Sequence, residues 1–454
     1  VVFWSSSNIL KPNFIARHSA SHPHKVRQMK KDFSYYSDPQ RIETAVKTLA
    51  SFTEPDRPFT RLVFSPEFKQ ARQWLELEFT KAGLDCHVDK GGNLIGLREA
   101  EEDAREQKKV ILGSHIDTVP AGGQFDGVAG IVAALEVIHF LNEKKINLPF
   151  SIEIVDFLGE ELNVWGLSCL GSRHMAGLIT DEMLSRIDQE GRQLGLEIES
   201  IGGKRRPPRA PRQDADKIMA CLELHIEQAD SLETNKKDIG IVADIPEIRR
   251  YAIKVIGQAG HSGTTRMSDR QDALVAASEV ITTTQDTAAT IAKHDNKHFV
   301  ATIGRIDVYP NGAAIVPGEV NMVLDLTASH AHSRDEFLNQ LRTRCMQISK
   351  DRSCKIEMEV ISTASVAVMD NGLRKHLTHE ANCLNLSYID LSSGAGHDMV
   401  HLSRVAPAAM VFIPCKDGLS HCPEEFTTPK AIAKGSAVLA RTILALADDE
   451  LNQK

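Results

Sequence analysis

The sequence lacks the marks of three broad classes of protein. No stretch of the 454 residues approaches the roughly 20 consecutive apolar residues that a membrane-spanning helix needs. The 53 lysines and arginines are outnumbered by 61 aspartates and glutamates, so a surface built for nucleic-acid phosphates or anionic lipids is excluded. The eight cysteines form no CxxC pair, which argues against a disulfide framework and a cysteine-bound zinc. Composition therefore predicts a soluble cytoplasmic protein with no nucleic-acid or membrane partner.

The beginning of the chain differs from the rest. Residues 1–31 contain six lysines and arginines and no acidic residue. This composition is typical of a flexible basic arm or of a transit peptide. We therefore treat 1–38 as a flexible arm or targeting segment, and a mitochondrial or other organellar location is the alternative to the cytoplasm.

The next part of the chain alternates strands and helices. Val110 to Ser114 reads as a buried strand, a glycine-rich loop and a helix to about Asn142 follow, and Phe150 to Phe157 is a second apolar strand. A strand, helix and strand in this order form a parallel pair. We expect an α/β fold with a mainly parallel sheet and helices on both faces.

The pattern changes between residues 243 and 362. Strands and helices there follow the order β-α-β-β-α-β, which is the ferredoxin-like or split βαβ arrangement. We therefore predict an α+β domain at 243–362, inserted into an α/β domain formed by 39–242 and 363–454.

Side chains that bind metals cluster where strands of the α/β domain end. These residues are His115, Asp117, Asp126, Glu160, Glu161, His225 and His421. Each is a weak signal alone, but the carboxyl ends of parallel strands share one edge of a sheet. Three histidines with two of these carboxylates suit zinc, manganese or cobalt, and five such ligands exceed the needs of one tetrahedral ion. Two ions sharing a carboxylate would satisfy the set and activate a water for hydrolysis.

Six segments, in this order along the chain, resemble one family of enzymes. They are GSHIDTVPAGGQFDGVAG, LGEELNVWGLSCLGSR, ELHIEQADSLE, GQAGHSGTTRMSDRQDALVAA, SGAGHD and DGLSHCPEEF. They are similar to those of M20-type metal-dependent amidohydrolases of the hydantoinase/carbamoylase branch, which includes N-carbamoyl-L-amino acid hydrolases, β-ureidopropionases and allantoate and ureidoglycolate amidohydrolases. The resemblance implies a homodimer with two zinc or manganese ions, or cobalt or nickel, in each catalytic domain, and a lid or dimerisation role for 243–362.

The resemblance also implies a reaction, the hydrolysis of a linear C–N amide bond in a small N-carbamoyl (ureido) compound. An N-acyl amino acid or dipeptide-like amide is the alternative substrate, and a catalytically inactive binding protein is the alternative outside enzymes.

Roles for single residues follow from the same resemblance. The metal ligands would be His115, Asp126, Glu161, His225 and His421, with Asp126 bridging. Glu160 would be the general base, Asp117 would orient His115, and His261 would donate to the oxyanion, often across a dimer. Gln228 and His397 match positions that contact substrate.

Two positions depart from the family pattern. Ala314 stands where the family has an asparagine and Thr327 where it has an arginine, and the pair normally binds a substrate carboxylate. Neither residue can form a bidentate clamp. We expect a changed substrate that lacks this carboxylate; the alternative is a relocated clamp that uses Arg266 or Asn311.

Overall fold

The computed structural model describes residues 30–101, 108–206, 209–294 and 298–452. The helices in these ranges are α1 Pro39–Ser51, α2 Pro66–Lys81, α3 Val128–Glu143, α4 Leu170–Met175, α5 Asp181–Ser185, α6 Leu194–Ser200, α7 Ser231–Thr234, α8 Ala273–His294, α9 Ala331–Arg352, α10 Asn371–Cys383, α11 Met399–Leu402 and α12 Pro429–Asn452. The strands are β1 Asp85–Val88, β2 Leu94–Arg98, β3 Lys109–Ser114, β4 Ser151–Asp156, β5 Ile218–Ile226, β6 Ile239–Val242, β7 Asp244–Ile245, β8 Glu247–Ile256, β9 Gly260–His261, β10 Phe299–Tyr309, β11 Ile315–Val316, β12 Glu319–Ala328, β13 Lys355–Ala364, β14 Ala367–Val368, β15 Tyr388–Leu391 and β16 Ala408–Ile413. No helix in these ranges is long and apolar enough to cross a bilayer.

The larger sheet has eight strands in the order β1-β2-β4-β3-β5-β16-β6-β15. Its centre, from β4 to β16, is parallel, while β1, β2 and the β16–β6 pair are antiparallel. Alternate residues of β3 point to opposite faces: Val110 and Leu112 pack with α3 and α12, whereas Ile111 packs with α4 and α11. The predicted α/β class, with helices on both faces, is confirmed.

The smaller sheet has four antiparallel strands in the order β10-β12-β8-β13. Its elements follow the chain as β8, α8, β10, β12, α9 and β13, which is the predicted β-α-β-β-α-β order. Alternate residues of β8 and β12, such as Tyr251 and Leu324, bury one face of this sheet against the two helices in a core of its own. The opposite face is therefore left for another contact.

The fold of the larger sheet brings several chain segments to one edge. His115 follows β3, the Glu160-Glu161 pair lies beyond β4, His225 lies near the end of β5, and the loop that carries His421 follows β16. These strands are parallel, so their carboxyl ends meet on the same side.

A buried ion pair supports this edge. Arg72 Nε of α2 donates to Asp156 Oδ2 at the end of β4 over 2.7 Å, and Asp156 Oδ1 accepts from the main-chain N–H of Ile116 over 3.1 Å. The Asp156 side chain is fully buried. Arg72 therefore compensates a carboxylate that ties the end of β4 to the segment after β3.

Replacing Arg72 tests this support. We expect Arg72→Met to lower the free energy of unfolding by about 3–5 kcal/mol, because Asp156 keeps its buried charge without a partner. The control is Lys81→Met on the same helix, whose pair with Glu78 is exposed, for which we expect a loss of no more than about 0.5 kcal/mol. Urea unfolding of both variants gives the comparison, and equal losses would contradict the assignment.

Candidate active site

The carboxylate of Asp126 lies at the centre of the predicted ligand set. Its Oδ1 is 3.0 Å from His225 Nε2 and 3.7 Å from His115 Nε2, and its Oδ2 is 3.0 Å from His421 Nε2. Three ring nitrogens thus approach the two oxygens of a residue that is 3% exposed. Asp126 is therefore a carboxylate surrounded by nitrogen ligands.

Two groups of possible metal ligands share Asp126. One consists of His115, Asp126 and His225, and the other of Asp126, Glu161 and His421; within each group the donor atoms lie within 4.8 Å of one another. Glu161 Oε1 is 3.3 Å from His421 Nε2. The structure thus brings together all five residues that the sequence predicts as metal ligands, with the predicted bridging residue common to both groups.

The histidine tautomers fit a bound cation. His115 Nδ1 is 3.0 Å from the main-chain oxygen of Asp117, and His225 Nδ1 is 2.9 Å from that of Ile226. A carbonyl oxygen only accepts, so each Nδ1 carries the proton and each Nε2 presents a lone pair. Both Nε2 atoms are buried and make no well-aligned hydrogen bond to any described residue. Lone pairs that face the Asp126 carboxylate are the donor set of a divalent cation.

Asp117 contributes both its main-chain carbonyl and its side-chain carboxylate to the site. Its carbonyl oxygen contacts His115, while its carboxylate oxygens accept the main-chain N–H groups of Glu160 and Glu161, each over 3.2 Å. Its Oδ1 is 3.6 Å from His115 Nδ1, farther than the carbonyl. The sequence predicts that the carboxylate orients His115; in the structure the carbonyl makes that contact and the carboxylate holds the loop after β4.

Glu160 lies beside the two groups without belonging to either. Its Oε2 is 3.8 Å from His115 Nε2, and its Oε1 is 3.7 Å from the Sγ of Cys169. Burial raises the pKa of Glu160 well above its ordinary value, and the nearby carboxylate of Glu161 raises it further. A raised pKa suits a carboxylate that accepts a proton and returns it.

Gln228 and His397 also join the site. Gln228 Nε2 donates to Asp126 Oδ2 over 3.0 Å and to Ser420 Oγ over 3.2 Å. The ring of His397 is 4.4 Å from that of His225, and its Nε2 is 3.0 Å from Ser393 Oγ. Both residues line the cavity described next.

A cavity of about 920 Å³ lies between the metal-type ligands and the free face of the smaller sheet. Part of its wall is apolar, and there the rings of Phe64 and Trp165 meet edge to face at 5.6 Å. On the sheet side, Arg250, Asp325 and Thr327 line the cavity. The cleft therefore has room for a small molecule larger than the reacting amide.

Three predicted site residues lie in the structure away from the cavity and from the predicted metal ligands. His261, Arg266 and Asn311 are exposed, and none lines this cavity. His261 belongs to β9, which pairs with β11 at the end of the smaller sheet where β12 starts, whereas Thr327 is close to the end of β12. Thr327 is eight residue steps along β12 from Glu319, roughly 26 Å at about 3.3 Å per residue. One chain therefore does not bring these three residues to the predicted metal ligands.

Glu425 supports the site, although the sequence patterns assign no role to it. Its Oε1 accepts the main-chain N–H groups of Phe125 and Asp126 over 2.9 and 3.0 Å, and its Oε2 accepts from Ser420 Oγ. A Cβ on Gly123 would lie 1.9 Å from this carboxylate. Glu425 thus fixes the loop that carries Asp126, and the paired glycines 122 and 123 were the available signal.

Known proteins match this chain along most of its length. The signature of peptidase family M20/M25/M40 matches residues 111–445. This chain belongs to that family. It is 33% identical to an N-carbamoyl-L-amino-acid amidohydrolase of Paenarthrobacter aurescens, over 90% of this chain and 98% of that protein. It is 32% identical to the allantoate amidohydrolase of Escherichia coli, over 90% and 98%.

A solved structure agrees with these matches. An amidase of the hydantoinase/carbamoylase family from Burkholderia vietnamiensis superposes with a TM-score of 0.84 at 33% identity, covering 92% of this chain and 99% of that one. The resemblance drawn from the six motifs is confirmed. Enzymes of the M20 family depend on bound metal, and the two ligand groups around Asp126 agree with this dependence.

Gly127 provides a test of the metal site. It has φ +65°, and a Cβ there would lie 2.4 Å from His115 Nε2. We expect Gly127→Ala to weaken binding of Zn²⁺ or Mn²⁺ at least about tenfold, because it displaces the imidazole. The control is Gly83→Ala, at φ +81° with no atom within 4 Å, which strains the backbone but should keep the metal. Metal content after dialysis distinguishes them; full retention by Gly127→Ala would contradict the assignment.

Proposed function

We propose that this M20-family chain is an amidohydrolase that cleaves a linear C–N bond of a small ureido compound. The main observation behind this proposal is that two groups of possible metal ligands share Asp126, while Glu160 lies beside them and belongs to neither group. The relatives named as carbamoyl-amino-acid and allantoate amidohydrolases support the ureido group as the reacting part. We assign catalysis to a domain formed by 39–242 and 363–454, and the lid to 243–362.

We further propose that the site holds two divalent ions, zinc or manganese. His115 and His225 would bind on one side of Asp126, and Glu161 and His421 on the other. When bound, such ions lower the pKa of water toward neutrality and polarise a carbonyl oxygen. Their charge would also compensate the carboxylates that crowd this cleft.

Glu160 performs the proton transfers in this proposal. Its carboxylate takes a proton from the attacking water as the new C–O bond forms, and it returns this proton to the leaving nitrogen as the C–N bond breaks. Asp117 fixes the position of Glu160 by accepting its main-chain N–H. Gln228 and His397, on the cavity wall, would contact the substrate.

His261 would act across a homodimer. It is remote from the other proposed catalytic residues of its own chain, so a second copy must supply it if it stabilises the oxyanion. Its exposure on the β9–β11 pair, within residues 243–362, supports an interface formed by that part of the chain.

Replacing Glu160 tests the base. We expect Glu160→Gln to lower kcat by about 10²- to 10⁴-fold while metal content stays at the wild-type level. Glu161→Gln is the matched control and should lose metal as well as activity, because Glu161 belongs to a ligand group. Unchanged turnover in the metal-loaded Glu160→Gln variant would remove Glu160 from this role.

The products identify the substrate class. With an N-carbamoyl amino acid, the wild-type protein should release ammonia and carbon dioxide, measured enzymatically. Release of an organic acid from N-acyl amino acids, with no reaction on ureides, would favour the alternative amide substrate.

Mixed dimers test the sharing of His261. We expect Glu160→Gln and His261→Ala proteins to be inactive separately but to recover about a quarter of wild-type activity after mixing and exchange, because half the dimers would contain one intact site. The control mixes Glu160→Gln with a Glu160→Gln/His261→Ala protein, which cannot form an intact site. No recovery despite demonstrated exchange would place His261 outside the partner's site.

A further inference from the structure

One corner of the cleft has arginines and an unpartnered histidine that the reaction described above does not use. It lies where the smaller sheet meets the segment before α4, and we call Arg250, Ser168, Ser362 and His401 the anion corner. All four residues line the cavity. Ser168 precedes Cys169, whose Sγ is 3.7 Å from Glu160 Oε1, so the corner is close to the proposed base.

The position of Arg250 relates it to the arginine that is missing at residue 327. On the paired strands β8 and β12, Arg250 is opposite Asp325 and Ile248 is opposite Thr327. Arg250 and Thr327 are therefore diagonal neighbours on the face that lines the cavity, about 7–8 Å apart in such sheets. A guanidinium on residue 250 can reach the space that a longer side chain on residue 327 would serve.

The guanidinium of Arg250 is held at one edge and open at the other. Nε donates to Asp325 Oδ2 over 3.0 Å and Nη1 donates to Ser168 Oγ over 2.9 Å. Nη2 has no hydrogen-bond partner anywhere in the described ranges. The fork is thus fixed in orientation and still has donors for a further acceptor.

A second arginine adds positive charge behind the corner. Arg173 is 4% exposed, donates from Nε to the main-chain oxygen of Ser168 and from Nη2 to Ser362 Oγ, and forms no ion pair with a described residue. Among the described residues, Asp325 is the only carboxylate that forms an ion pair with either Arg173 or Arg250. The corner therefore keeps an excess of positive charge.

His401 completes the corner. It is 2% exposed, and neither ring nitrogen has a hydrogen-bond partner in the part of the chain that the structure describes. Burial, reinforced by Arg173 and Arg404, lowers its pKa well below the ordinary value, so the ring is neutral. A buried imidazole without partners costs free energy unless a ligand satisfies it, and a neutral ring offers one N–H donor.

We propose that the anion corner binds a carboxylate of the substrate and replaces the missing arginine of residue 327. This inference rests on the proposed function and narrows its substrate to ureido compounds that carry a carboxylate. In this proposal the carboxylate clamp is relocated from residue 327 to Arg250. Arg266 and Asn311, the residues first considered for a relocated clamp, are exposed and lie outside the cavity. Arg250 and His401 would thus determine specificity without taking part in bond cleavage.

The test compares two ligands that differ in one group, a carboxylate against an uncharged carboxamide. N-carbamoyl-L-leucine and N-carbamoyl-L-leucinamide share the ureido group, but only the first has a carboxylate. Calorimetry on the Mn²⁺-loaded Glu160→Gln protein measures both Kd values without turnover. We expect the acid to bind more tightly than the amide, and Arg250→Gln in this background to raise the Kd of the acid by about 10- to 100-fold while that of the amide changes less than about twofold.

The matched control is Arg305→Gln, which removes the same charge from the same sheet. Arg305 also lines the cavity but pairs with Asp307 outside the corner, so the Kd ratio of acid to amide should not change. If Arg250 only neutralised Asp325, the double variant Arg250→Gln/Asp325→Asn, which removes both charges, would restore the wild-type Kd ratio of acid to amide, and that result would overturn the proposal. The proposal would also be overturned if the acid bound no more tightly than the amide to the Glu160→Gln protein in which Arg250 is intact.

Two further measurements cover other outcomes. If Arg250→Gln loses metal or unfolds at a lower temperature, Arg250→Lys is used instead, because it keeps the charge but not the forked guanidinium. A rise in the Kd of the acid relative to that of the amide supports the proposal. An unchanged ratio of the two Kd values overturns it. Turnover of N-carbamoyl-L-leucine by the wild-type protein is scored separately. If the acid binds tightly and this binding depends on Arg250, but no ammonia is released, the proposal for the anion corner stands and the proposed function is overturned.

Discussion

The Asp126 carboxylate, buried among three imidazoles, is the constraint on which the rest of the site depends. Two of these rings donate Nδ1–H to main-chain carbonyls and so present lone pairs to a carboxylate. Glu160 and Glu161 add further acidic groups at the same place. Cations bound between these groups make the arrangement favourable, because like charges and lone pairs in a buried cleft repel one another. The side-chain arrangement therefore agrees with the metal dependence of the M20 family.

Several layers of structure hold that arrangement in place. Glu425 binds the main-chain N–H groups of the loop before α3, and Asp117 binds those of the Glu160-Glu161 pair. Beneath them, the Arg72–Asp156 pair joins α2 to the end of β4. Each contact uses a charged group on a main-chain donor or a buried ion pair, and such bonds are stronger and more directional than neutral ones. Groups of the protein itself thus fix the positions of the predicted metal ligands.

The cleft combines a general reactive end with a selective wall. The reactive end comes from the larger sheet and is suited to any small amide or ureide carbonyl. The wall comes from β8, β12 and β13 of the smaller sheet, where Arg250 and Ser362 are opposite each other in register. Because the two ends belong to different sheets, the wall can change its cations without disturbing the metal ligands, and the proposed use of Arg250 in place of an arginine at residue 327 would be such a change.

Local patterns in the sequence are sufficient to predict the α/β class, the β-α-β-β-α-β order and the candidate metal ligands. These follow from hydrophobic periodicity and from polar residues at strand ends, which are local properties of the chain, and the six family motifs added the roles. Tertiary structure alone decided which groups face one another. That Asp117 uses its carbonyl for His115, and that Arg250 faces the cleft while Arg266 does not, depends on strand register and loop packing between residues far apart in the chain. Register and packing are set by the whole core, so no local pattern encodes them.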